Sequence, residues 1–260
     1  MSRNEDVKNF LLKHRAKLNP EEYGFSALNR RVRGLRREEV AQLAAVSVSW
    51  YTWLEQGRDI SISPSALERI GKVLRLSHVE QAYLDALVFG GRTFPESDKV
   101  LSDEITAMVD ALNPHPAFIR RGNMDILYWN EAAKNKIFDW SRVPEADRNS
   151  LKLMFISDEY REKIHEWEKA ARHTIASFRA YYAGGGSNAS DFESVVADLT
   201  KRSDEFCTMW NYHDVSRVGS GNKAIVGNDG IISYYTYTSL EIEHSPGIYM
   251  IFYLVRKNVV

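Results

Sequence analysis

The chain has 260 residues, 44% of them hydrophobic and 27% charged. That is enough apolar material for packed cores, and it excludes wholesale disorder. Lys+Arg 34 against Asp+Glu 35 gives a net charge of −1, which names no partner, and the single cysteine, Cys207, excludes both a disulfide framework and a cysteine-rich zinc site.

In chain order, Val7, Phe10, Leu11 and Leu18 outline a first helix ending near Pro20. A basic run follows, with five arginines in the eight residues from Arg30 to Arg37. Arg binds phosphate oxygens bidentately, so the run reads either as a phosphate-contacting surface or as a solvated loop. Leu35 precedes a second helix with Val40, Leu43 and Ala44 on one face, and small Ala41 lets another helix approach. Ala45 to Ser47 makes a turn, and Ser47 is placed to cap a third helix, Val48 to Gln56, that stops at Gly57. Ser63 and Ser77 start a fourth and a fifth. Helical periodicity turns Tyr51 and Leu54 to the core with Val46. Ser49, Trp50 and Trp53 point away, with Val48 and Thr52 at the edge. Two outward tryptophans imply a partner surface, either DNA or the rest of the chain.

Two short helices joined by a three-residue turn, with two more following, form a helix-turn-helix domain. The stretch Leu35 to Arg58 resembles the lambda-repressor-like, XRE-type domain of the MmyB-like bacterial transcription regulators, and the likeness covers roughly residues 4–90. One departure is Ala45, where that family has glycine; a left-handed alanine there costs about 1 kcal/mol. The resemblance implies an all-α, five-helix domain over residues 1–92. Its third helix would enter the major groove of a pseudo-palindromic operator, with the protein a homodimer. Arg30, Arg31, Arg33, Arg36, Arg37 and Arg58 would hold phosphates, and Ser47, Val48, Ser49, Trp50, Thr52 and Trp53 would face the bases. Glu55 resembles the family glutamate that pairs internally with an arginine of the first helix, here Arg15.

Composition shifts near residue 92, with a balance of +4 before it and −5 after. Gly90 to Asp98, with paired glycines and a proline, reads as a turn or linker. Beyond it comes a helix over 104–112 (Ile105, Met108, Val109, Leu112), then strands at Ala117–Ile119 and Ile126–Trp129. Asn130 caps a helix reaching Phe138. A long amphipathic helix is expected to carry Ile164, Trp167, Ala171, Ile175, Phe178 and Tyr182. Phe192 to Leu199 and Phe206 to Trp210 suggest two more. Three strands close the sequence, roughly Lys223–Val226, Ile231–Ser239 and Tyr249–Arg256, the first two joined by the hairpin turn Asn228 to Gly230.

That order predicts an α+β, PAS-like domain over residues 104–260, a five-stranded antiparallel sheet with helices on one side. The resemblance to the MmyB-like ligand-binding domain extends here, on Asn113 to Ala117, Tyr128 to Ala133, Arg148 with Asn149, Trp167 with Glu168, Glu205 with Phe206 and Trp210, and His213 to Val215. It implies a buried pocket for a small apolar ligand, a fatty acid or similar lipid, and no other cofactor. Trp129, Phe155, Trp167, Phe178, Met209 and Trp210 read as pocket walls or as plain core. Arg148 reads as the carboxylate anchor, helped by Asn130, Asn149 or His213, or as the partner of Asp147 or Glu145.

No catalytic constellation stands out. Gly219 to Lys223 lacks phosphate-loop spacing, the adjacent pair His213 and Asp214 cannot take base–orienter geometry, and no activated nucleophile is recognisable. The longest apolar stretch, Ile248 to Val255, is far short of the about 20 residues of a membrane span, and the start of the chain runs into charge rather than a secretory core. A bacterial, cytoplasmic regulator is therefore expected, with no membrane contact. The alternative is a helix-turn-helix protein whose second domain binds a protein partner instead of a metabolite.

Overall fold

Five helices make the N-terminal half: α1 (Arg3–Lys17), α2 (Arg37–Leu43), α3 (Val48–Glu55), α4 (Pro64–Val73) and α5 (His78–Phe89). The computed structural model describes residues 3–28, 30, 32–58, 60–90, 101–184, 189–212, 214–215, 219–243 and 245–256. The chain splits into two compact units, Met1–Gly90 and Gly91–Val260. Arg31, His213 and the stretch 91–98 lie outside the described residues.

In the first unit, Val7, Phe10 and Leu11 recur at helical spacing and are buried, together with Val40, Ala41, Ala44, Tyr51, Leu67, Ile70 and Leu84. Leu43, expected on the core face of α2, is 40% exposed. Close packing is centred on the small residues Ala41 and Ala44, which moves Leu43 to the rim. The turn between α2 and α3 is tight, with Val46 N–H donating to Ala41 O at 3.0 Å. Ala45 adopts φ +51°, the left-handed conformation expected of it. Ser47 Oγ accepts from Trp50 N–H at 3.2 Å and so caps α3. Gly57 closes that helix at φ +69°, and a Cβ there would collide with the backbone of Asn4.

The second unit runs α6 (Asp103–Ala111), β1 (Ala117–Arg121), β2 (Ile126–Trp129), α7 (Glu131–Lys136), α8 (Ser150–Ile156), α9 (Asp158–Glu162), α10 (Trp167–Gly184), α11 (Ala189–Arg202), α12 (Asp204–Trp210), β3 (Ser220–Val226), β4 (Ile232–Glu241) and β5 (Ile248–Val255). The strands form one antiparallel sheet in the order β2-β1-β5-β4-β3. Alternation divides each strand between two faces. Phe118, Ile225, Tyr235, Ile251 and Tyr253 point into the main core with α7 to α12. Ala117 and Ile119 point the other way, where Val109 of α6 covers them. Helical cover is thus on both faces, not on one as expected.

The single long helix expected around residue 164 is also corrected. Ile164 makes an isolated bridge to Ile225, Glu166 takes φ +52°, and α10 starts only at Trp167. Ahead of it lie two short, separately capped helices. Asn149 Oδ1 accepts from Leu151 and Lys152 N–H to start α8, and Ser157 Oγ accepts from Tyr160 N–H to start α9.

Candidate DNA-binding face and ligand cavity

The third helix keeps one face in and one face out. Tyr51 and Leu54 are buried, whereas Val48 is 47% and Trp53 43% exposed; Ser49 is exposed beside them and Thr52 half-buried. Residues 48, 49, 52 and 53 thus make a continuous outward stripe. Trp50 is only half-buried, and its indole N–H donates to Ser61 O at 3.3 Å, which lays the ring against the loop before α4.

The arginines divide into tied and untied. Glu55 has no exposed side-chain surface and accepts from Arg15 Nε (2.5 Å) and Nη2 (3.0 Å), from Arg37 Nε (2.6 Å) and from the Tyr51 hydroxyl (3.2 Å). The Arg15 pairing is the internal one expected. Arg30 is tied too, holding Glu39 at 2.6 and 2.9 Å, and Glu39 also accepts from Arg36 N–H at 2.7 Å. Burial works against the Glu39 anion, but these donors still hold its carboxyl below the usual range. Arg36 is exposed and only loosely near Glu38, at 3.9 Å. Arg33 and Arg58 are exposed and make no ion pair among the described residues.

In the second unit a cavity of about 60 Å³ lies between the sheet's inner face and α10. Phe118, Met124, Ile251, Tyr181, Tyr237 and Tyr253 wall it, and Arg120, Lys223 and His173 project at it. No carboxylate lines it among the described residues. The strand register explains the set. Arg120 stands two residues after Phe118, hence on the same face, and pairs across to Tyr249, while Tyr237 pairs with both Gly221 and Tyr253. Arg120 is 8% exposed, its guanidinium 4.4 Å from the ring centre of Tyr181 and 5.8 Å from that of Tyr249. Its hydrogen bond is to Arg121 O at 3.0 Å, and it has no ion pair among the described residues. Cation–π contact stabilises the buried charge without neutralising it, so the cavity is an electropositive, aromatic-walled site suited to an anion. Burial raises the pKa of Tyr237 and Tyr253, so both phenols stay protonated. Burial of its ring, and then the charge of Lys223, hold His173 below the ordinary imidazole value.

The helix-turn-helix domain family matches residues 12–84, and the family described as the MmyB-like transcription regulator ligand binding domain matches residues 101–258, more than half of the chain. The chain belongs to the MmyB-like transcription regulators. None of the curated proteins compared with it matches. An MmyB-like regulator joins helix-turn-helix DNA binding to a ligand-binding domain and is not an enzyme. No described helix is long and apolar enough to cross a membrane, and no described cluster of His, Cys, Asp or Glu could hold a metal ion.

Among the described residues, none of the pocket residues expected from the sequence of this MmyB-like regulator lines the cavity. Phe178, Met209 and Trp210 pack into the helical core, Phe178 4.9 Å from Phe192 between ring centres. Phe155 stacks edge-on against Trp167, whose indole donates to Met154 O at 2.8 Å. Asn130 is 1% exposed with all its donors and acceptors used, on Ala117, Ala133, Val109 and His115. Asn149 caps α8 and donates to Asn123 O and Asp125. Arg148, the expected anchor, donates to Trp140 O and Val143 O, both at 3.2 Å, and lies over Trp129 at 5.3 Å. It pairs with neither Asp147 nor Glu145; Asp147 is held by Arg202. The cavity residues were legible in one signal. Arg120 in phase with Phe118, and Tyr249 with Ile251 and Tyr253, put a cation and phenols on a core-facing strand side.

Proposed function

We propose that this regulator binds a pseudo-palindromic operator as a homodimer and that a small organic acid with an apolar body, a fatty acid in the simplest case, sets its affinity. The acid's head sits against Arg120 and Lys223, with the phenols of Tyr237 and Tyr253 as hydrogen-bond donors. One observation carries this reading: two cations face a partly open cavity with no described carboxylate in its lining. A charged group in such a place attracts a counter-ion, and Arg–carboxylate pairing is the strongest available. Val48, Ser49, Thr52 and Trp53 face the bases; Arg33, Arg36 and Arg58 hold phosphates. The protein acts in the cytoplasm, where its operator lies.

Mass spectrometry of an organic extract of the purified protein should reveal a bound acid. Titrating that acid with and without operator DNA should give two different affinities, because linkage between the sites is reciprocal. Equal affinities would remove the mechanism. The outer face of β4 and β5 exposes Tyr234, Leu240 and Leu254, and this favours a second reading in which the domain docks a protein. Under that reading the extract carries no acid and Arg120→Ala leaves regulation intact.

A further inference from the structure

The anion cavity does not stand alone. A groove of about 480 Å³ adjoins it, bounded by the start of α10 and by β3, the edge strand. His173, Thr174 and Lys223 belong to both spaces. The inner space suits a short group: at about 10–15 Å³ per water-sized site, 60 Å³ holds roughly four or five heavy atoms, a carboxylate and a stub of chain. The groove is larger and more apolar, with Ile164, Ala170 and Tyr235 along it. Between the two lies a thin partition. The Tyr237 ring lies flat on Gly221 of β3, so close that a Cβ at that glycine would come within 2.8 Å of it. Its hydroxyl is hydrogen-bonded to His173 Nε2 at 3.2 Å.

We propose that this is a two-compartment acid site. The head binds inside at Arg120, the chain passes the His173–Tyr237 partition, and the tail runs out along the groove between α10 and β3. This rests on the reading above that Arg120 holds the acid's head. The consequence for specificity is that the carboxylate end is selected and the far end is not. Acids with long or bulky distal ends are ligands, because that end stays at the surface. Neutral His173 keeps the partition closed with one hydrogen bond, so the partition is weak enough for a chain to part.

Two probes, propionate and dodecanoate, and a third, dodecanoate carrying a terminal pyrene, separate the outcomes by calorimetry and fluorescence. Wild type should bind all three, and iodide should quench the bound pyrene nearly as well as the free probe. Ala170→Phe narrows the groove; it should weaken dodecanoate at least tenfold and leave propionate within twofold. Asn222→Trp, at an exposed position on the groove wall, gives the same contrast should Ala170→Phe fail to fold. Tyr237→Phe removes the partition's hydrogen bond and should speed dodecanoate association by roughly two- to tenfold. Equal loss of both acids in the groove variants, refusal of the pyrene probe, or pyrene shielded from iodide would overturn the two-compartment site. In the first two cases, loss of propionate binding in Arg120→Ala would show the underlying acid reading still standing. If wild type binds neither acid, both ideas fall together.

Discussion

Removing Glu55 should cost the DNA-binding unit more than any exposed substitution. Glu55→Ala takes away a carboxylate that accepts four hydrogen bonds and leaves Arg15, whose side chain is 7% exposed, without its counter-ion. Arg15 retains its bond to Leu35 O, which carries no compensating charge. Breaking one partner of a buried ion pair costs about 3–5 kcal/mol. A unit of this size holds only about 5–13 kcal/mol in total, so up to half or more of its stability goes. At about 4–8 °C per kcal/mol, the melting temperature of that unit should fall by about 12–40 °C. Thermal unfolding followed by far-UV circular dichroism reads this directly, and the transition of the C-terminal unit should stay in place. The double variant Arg15→Met, Glu55→Met should recover most of the loss, because an apolar pair of similar volume replaces a buried pair at little cost. A fall below about 5 °C for Glu55→Ala, or a double variant as unstable as the sum of its parts, would show that the network is wetter or weaker than its geometry implies.

Arg120→Ala should abolish acid binding with little loss of operator affinity in the ligand-free protein. Arg148→Ala should do the reverse of the first effect, leaving ligand affinity unchanged while losing two backbone hydrogen bonds, about 1–3 kcal/mol, measured by urea unfolding. Substituting Arg33 or Arg58 by Ala should weaken binding to all DNA sequences and flatten the salt slope, whereas Ser49→Ala or Trp53→Ala should alter preference between operators. If all four behave alike in salt-dependent titrations, the outward stripe of α3 has been misassigned. Ala45→Gly should stabilise the first unit by at most about 0.6 kcal/mol, the relief of about 1 kcal/mol of left-handed strain less the added unfolded-state entropy of about 0.4–1 kcal/mol. Glu39 has a lowered pKa, so its contribution is complete above the ordinary carboxylate range and is lost as pH falls through its folded value. Glu39→Gln should accordingly be less stable at neutral pH and show a shallower acid dependence.

The helix-turn-helix unit was almost wholly legible because its signals are local. Ser47, Gly57, Ser63 and Ser77 mark helix ends through caps that need only neighbouring backbone, and Ala45 to Ser47 fixes the turn within three residues. The strands were legible for the same reason, through alternation and the turn at Gly230. The cavity was legible only in the phase of Arg120 with Phe118, because the rest depends on register between strands far apart in sequence. Aromatic residues at helical spacing, such as Phe178 and Trp210, carry a stronger local pattern than Arg120 does, and they proved to be core. Arg148 read either as a carboxylate anchor or as the partner of Asp147 or Glu145, but it is a clamp on the backbone of Trp140 and Val143. Spacing alone also fused Ile164 to α10, since nothing in the apolar pattern reports the left-handed turn at Glu166.

The strand order has a bearing on how the protein is made. β5 lies at the centre of the sheet, paired with β1 on one side and β4 on the other, so Ala117 meets Phe252 across almost the whole sensor half. During synthesis β1 and β2 leave the ribosome early but have no central neighbour until β5 emerges. Closing so long a segment is slow, and in the meantime the tyrosine-bearing face is open and liable to mispair. The DNA-binding half, a compact unit over Met1–Gly90, can fold long before. A nascent chain therefore gains its DNA-reading surface before it has anything with which to sense a ligand.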